Sequence, residues 1–128
     1  MASLDTNCVL RWFLDDVPDQ RTRVEALLAS GEAMTVDDAV VIESVYALET
    51  GAKLSRKVIR EYWETAMTHA INVNRSLWVQ VLGIWVEYPK LSVVDVYLAT
   101  KAGTQGTAPL YTFDAKMVRQ LANTSTVP

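Results

Sequence analysis

Four carboxylates stand where an isolated acid is hard to account for: Asp5, Glu43, Asp95 and Asp114. On a helix the neighbours of a residue lie three and four positions away. Around Glu43 those positions hold Ala39, Val40, Tyr46 and Ala47, and around Asp95 they hold Leu91, Ser92, Leu98 and Ala99. Neither set offers a cation. Buried carboxylates are rare unless paired or bound to a metal, so acids on these apolar faces are expected to find a partner from elsewhere, and a hard divalent ion would serve. Asp5 and Asp114 are placed differently. Each follows a short apolar segment, Met1 to Leu4 and Pro109 to Phe113, and each opens a stretch with helical spacing. Each is therefore predicted to be the last residue of a strand, an address where parallel sheets bind their ligands.

The chemistry that uses such acids is phosphodiester cleavage. Mg²⁺ and Mn²⁺ prefer oxygen ligands and are held by few protein carboxylates, which keeps coordination positions for water and phosphate. Two such ions about 4 Å apart can activate a water and stabilise the leaving oxygen of an in-line displacement. No histidine or cysteine is required, and the chain has one of each, His69 and Cys8. Each acid also has a plainer reading. Asp5 and Asp114 suit the N-caps of the helices they precede, and Asp95 stands three residues after Ser92, close to a capping box. Glu43 could lie on an exposed ridge.

The elements that would position these residues follow from periodicity and from helix start and stop signals. A strand ends at Leu4 to Asp5, and short helices cover Asn7 to Leu14 and about Asp19 to Ala29, the second stopped by Gly31. Ala33 to Val36 is a second strand. Asp37 or Asp38 caps a helix to Glu49, and Ser55 starts one to about Met67. The strand Ala70 to Val73, the helix Arg75 to Tyr88 and a helix from Ser92 to Gly103 come next. The strand Ala108 to Phe113 and the helix Ala115 to Ala122 complete the set. Strands alternating with helices imply an α/β fold with a parallel sheet covered on both faces.

With 128 residues, half of them hydrophobic, one globular domain spanning 1–128 is expected. One cysteine excludes an internal disulfide framework, which fits a reducing compartment and makes Cys8 a small core residue. The longest apolar stretch, Leu77 to Val86, is too short to span a bilayer. No basic leader precedes an apolar core, so a cytoplasmic protein without a membrane partner is expected. A formal charge of −3 lacks the basic footprint usual in nucleic-acid binders. Setting the four acids aside, however, leaves the basic residues in a slight majority.

Leu4-Asp5-Thr6-Asn7, Val41-Ile42-Glu43 with Tyr46-Ala47-Leu48-Glu49, Val93-Val94-Asp95 with Tyr97-Leu98-Ala99, and Leu110-Tyr111-Thr112-Phe113-Asp114 occur in that order. In these four motifs, over essentially its whole length, the chain resembles PIN domains, in particular the small VapC-type toxins of toxin–antitoxin pairs. The resemblance implies a PIN-like three-layer fold, in which a central, mostly parallel sheet of four to five strands is flanked by helices and the acids converge at its carboxyl edge. It implies Mg²⁺ or Mn²⁺ as cofactor, endoribonuclease activity, inhibition by a cognate antitoxin, and a homodimer. By the same resemblance Asp5, Glu43, Asp95 and Asp114 are the catalytic and metal-binding acids, and Asn7 and Thr112 support them by hydrogen bonding. A PIN nuclease of RNA processing or decay without an antitoxin, and a silent PIN-like protein-binding domain, are the competing expectations. Lys116 and Arg119, and likewise Arg11, read as solvated or phosphate-contacting cations, with the solvated reading favoured. His69 reads as structural. The segment with Trp78 and Trp85 reads as core, or as a dimer face.

Overall fold

A computed structural model describes all residues from Met1 to Pro128, and the chain forms two compact units, Met1–Asn74 and Arg75–Pro128. The first contains β1 (Ala2–Ser3), α1 (Thr6–Phe13), α2 (Pro18–Ala29), β2 (Met34–Thr35), α3 (Asp38–Tyr46), α4 (Arg56–Ala66) and β3 (Ile71–Asn72). A π-helical turn, Ala47–Gly51, joins α3 to α4. The second contains α5 (Arg75–Glu87), α6 (Val93–Gln105), β4 (Leu110–Tyr111), α7 (Ala115–Gln120) and β5 (Ser125–Thr126). No helix is long and apolar enough to cross a membrane.

Every strand pair is parallel, as the alternation of elements predicts. In the first unit the order is β1-β2-β3, with Ala2 opposite Met34 and Met34 opposite Ile71. In the second, β4 pairs with β5, Leu110 opposite Ser125. The mixed α/β class is as expected, while the pairing falls into two sets and β5 has no counterpart among the predicted strands. The ladder outlasts the short strands. Leu4 N–H donates to the Thr35 carbonyl and Val36 N–H to that of Asn72, both at 2.9 Å, which fixes the chain just before Asp5.

Several helices start at side-chain caps, whereas α2 opens on Val17 and Pro18 without one. Asp37 Oδ1 accepts the Ala39 amide at 2.9 Å to open α3, and Ser55 Oγ accepts the Val58 amide at 3.2 Å to open α4. Such caps satisfy amides that have no partner inside the helix. Ile59, Trp63 and Ala66 on α4 are buried at helical spacing, as are Leu77, Trp78, Val81, Leu82 and Trp85 on α5. Within the second unit Trp78 stacks on Tyr97 of α6, ring centroids 5.2 Å apart. The two tryptophans of the apolar Trp78 to Trp85 segment are therefore core and offer no surface for a second copy, whereas Val79 between them is exposed.

The strands are shorter than expected, β4 covering only Leu110–Tyr111 of the predicted Ala108 to Phe113, and two helix ends differ as well. The helix begun by Asp37 leaves α geometry at Tyr46 for the π-helical turn, a change that hydrophobic spacing does not signal. The helix begun at Ser92 passes Gly103 and stops at Gly106, where φ is +71°, the left-handed conformation that ends many helices. Gly103 serves another purpose. A Cβ there would stand 3.1 Å from Thr124 Cγ2, so its lack of a side chain permits close packing beside the 121–124 turn.

Candidate active site

Asp5 follows β1 by two residues instead of ending it, and it is the N-cap of α1. The Cys8 amide donates to Asp5 Oδ1 at 2.9 Å. That bond first, then one from the Cys8 thiol, holds the Asp5 carboxyl below the usual aspartate range, because hydrogen bonds to the charged form favour it. The thiol is pushed up, by burial first and then by the neighbouring carboxylate. Cys8 is half-buried, so it is not the full core residue expected. Asn7 is exposed, and it is the Asn7 backbone that makes a minor hydrogen-bond contribution at Asp5.

Glu43 lies within α3 and caps nothing. It is exposed, and so is Tyr46 beside it, at 66%. The apolar neighbours of Glu43 thus do not bury it, and the inference that it needs a compensating charge to leave water fails on this exposure.

Asp95 is half-buried and reciprocally bonded to Ser92. The Asp95 amide donates to Ser92 Oγ and the Ser92 amide donates to Asp95 Oδ2, both at 3.1 Å. This is a capping box with aspartate in the place usually held by glutamate or glutamine. Of its apolar neighbours Leu91 and Ala99 are buried while Leu98, one turn on, is 45% exposed, so Asp95 sits at the edge of the core and Ser92 supplies its hydrogen-bond partner locally.

Asp114 follows β4 by three residues and caps α7. Its Oδ1 accepts the Lys116 amide at 2.8 Å and the Met117 amide at 3.4 Å. Its own amide donates to Thr112 Oγ1 at 3.0 Å, while the Thr112 hydroxyl points to Met117 Sδ at 3.9 Å. Thr112 thus fixes the backbone that carries Asp114, without a hydrogen bond to the carboxylate.

Two of the four acids are therefore N-caps and Asp95 completes a capping box, which does not exhaust them as ligands. A carboxylate has two oxygens and about four acceptor positions, and the amides that Asp95 and Asp114 accept each fall on one oxygen. Each carboxylate taken singly is an oxygen donor of the kind a hard divalent cation prefers. Asp5 and Glu43 belong to the first unit, Asp95 and Asp114 to the second. Within neither unit do three or more acidic, imidazole or thiol side chains group to enclose an ion.

The remaining candidates divide clearly. Arg11 is ion-paired with Asp16, and Lys116 and Arg119 are exposed. His69 meets the Trp12 ring edge-on, centroids 5.2 Å apart, and lines a cavity of about 560 Å³ with Trp12, Phe13, Arg21, Glu25 and Tyr62. None of the four acids lines that cavity. Sequence reasoning missed the Cys8 thiol as a partner of Asp5, and it placed Tyr111 and Phe113 in an apolar strand although both rings are exposed. The three-residue spacing from Asp5 to Cys8 on a helix was the available signal for the first.

No curated protein matches the chain. The PIN domain family matches residues 2–122. That span includes all four motifs, and the chain belongs to the PIN domain family, generally a nuclease domain.

Proposed function

We propose that this chain is a single-domain, metal-dependent endoribonuclease, and the toxin of a VapC-like toxin–antitoxin pair acting in the cytoplasm. The observation that carries the reading is the family match over residues 2–122 together with Asp5, Glu43, Asp95 and Asp114 present in the order of the family motifs. These four are the proposed ligands of Mg²⁺ or Mn²⁺. Such an ion would neutralise charge at the phosphate and favour ionisation of the attacking water. The chain's own part is to favour the charged form of Asp5 and to aim Asp95 and Asp114. Cys8 favours the charged form of Asp5, the Lys116 and Met117 amides orient Asp114, and Ser92 orients Asp95. Glu43, which holds no cap, is free to move with substrate. Asn7 and Thr112 are supporting residues, Thr112 through the Asp114 backbone. Unpaired RNA is the proposed substrate, since single strands expose the bases and backbone that a selective protein reads. A cognate antitoxin is part of the proposal, as is a homodimer, for which exposed Val79, Val94 and Leu98 offer apolar surface.

The test is induced expression of the wild type and Asp95→Asn, with sequencing of new RNA 5′ ends and parallel assays of the purified protein. Expected are defined cleavage sites that need Mg²⁺ or Mn²⁺ and vanish in the variant, together with growth arrest relieved by the product of a neighbouring small gene. Cleavage that survives chelator overturns the metal-dependent reading. Cleavage without any such neighbouring inhibitor transfers the chain to RNA processing or decay.

A further inference from the structure

The five residues Leu110–Asp114 turn two large rings into water beside a proposed catalytic acid. Their backbone is pinned to the strand after α7: Leu110 N–H donates to the Thr124 carbonyl at 2.7 Å and Thr112 N–H to that of Thr126 at 3.0 Å. Alternate side chains of an extended segment point to opposite sides. Thr112 is committed inward, its hydroxyl accepting the Asp114 amide and reaching Met117 Sδ. Tyr111 ends β4 and Phe113 lies in the turn that Thr112 closes onto Asp114, and the two are 64% and 85% exposed.

Two exposed rings two residues apart in sequence can each carry one base on its face. Lys116 and Arg119 are both exposed on α7, whose first residue follows Asp114 directly. Aromatic faces for bases beside cations for phosphates are what proteins present to single strands. In a duplex those base faces are already covered.

We infer that Tyr111 and Phe113 are base-stacking residues that hold unpaired nucleotides of the substrate next to Asp114, with Lys116 and Arg119 on the adjoining phosphates. The inference rests on the nuclease reading of Asp114.

The test compares wild type, Tyr111→Ala, Phe113→Ala, Phe113→Leu and Phe113→Trp. Binding of a short fluorescent single-stranded RNA is measured in chelator, so that the strand stays intact, and binding of an abasic strand of equal length serves as control. Stacking on one ring contributes about 1–3 kcal/mol, so each alanine variant is expected to bind RNA about tenfold more weakly. The leucine variant should match the alanine, and the tryptophan variant should match wild type. The abasic strand should bind all five proteins alike, and in cleavage assays KM should rise in the alanine variants. Both positions are exposed, so melting temperatures should stay together.

Equal RNA binding by all variants overturns the inference, and so does leucine performing as well as phenylalanine, which would mean plain apolar contact. A changed mass in sedimentation with RNA affinity unchanged would make the rings a contact between copies of this chain, and would also overturn it. If the wild type cleaves RNA and the variants match it, stacking falls while the nuclease reading stands. If RNA binding follows the ring series and nothing is cleaved, the reverse holds.

Discussion

Two turns, one in each unit, put an aspartate between a short parallel strand and a helix, and they hold it by different means. After β1, Asp5 is exposed, takes one amide on Oδ1 and gains the thiol of Cys8 three residues on. After β4, Asp114 is half-buried, takes two amides, and has its own amide secured by Thr112. A sulfur residue stands three places after each acid, with opposite roles. Cys8 donates to its aspartate, whereas Met117 receives the Thr112 hydroxyl. Position in the fold makes both residues caps; what lies around them makes one an acid held in its charged form and the other an acid fixed in direction.

The largest expected effect separates capping from chemistry. Asparagine caps helices about as well as aspartate and keeps an acceptor oxygen, so Asp5→Asn and Asp114→Asn should melt close to wild type. Their RNA cleavage should nevertheless fall about 100-fold or more, since losing even an outer-shell partner of a metal ligand costs about 10–100-fold. Glu43→Gln should lose activity equally with no change in melting, since Glu43 caps nothing. A variant that loses cleavage only in proportion to its loss of folded protein would return that acid to a purely structural role.

Alanine gives the next effect, and here the two turns should diverge. Removing a cap costs about 1 kcal/mol, equivalent to about 4 °C in a domain of this size. Asp114→Ala should cost more than Asp5→Ala, because two amides lose their acceptor and α7 has only six residues. Thr112→Val sharpens the contrast. It removes the bond to the Asp114 amide and should cost about 0.5–1 kcal/mol, the net value of one hydrogen bond. Equal melting of Thr112→Val and wild type would show that Asp114 is held by its cap alone.

Much of this was legible in the sequence because caps are written in local residue types. Asp37, Ser55 and Ser92 announce their helices, and the four motifs carry the family. Exposure was not legible. Apolar residues around Glu43 and Asp95 suggested burial, yet Tyr46 and Leu98 face water, since helical spacing reveals a shared face without saying what covers it. Gly103 looked like a helix stop because a sequence shows a missing side chain but not the Thr124 methyl packed close to it. The paired strands have only two residues each, too few for alternation to predict β5. The candidate acids were therefore chosen by type and spacing, whereas their hydrogen bonds had to come from the structure.

The smallest expected effect concerns the charge on Asp5 in metal-free protein. Its carboxyl sits below the ordinary range chiefly because of the Cys8 amide, and secondarily because of the Cys8 thiol. A depressed folded-state pKa means that the folded chain favours the carboxylate more than the unfolded chain does. The resulting stability is present above the unfolded value of about 3.9 and is lost as pH falls through the folded value. Because Asp5 is exposed, solvent screens the interaction and the change in melting should be slight, so the titration itself is the better readout. Carboxyl NMR in the presence of chelator should show Asp5 titrating low in the wild type. In Cys8→Ala it should move part of the way back, since the amide that contributes most remains. An unchanged Asp5 titration in Cys8→Ala would mean that the thiol contributes nothing. A complete return to the ordinary range would mean that the helix cap contributes nothing, and the contrast with Asp114 would then rest on Cys8 alone.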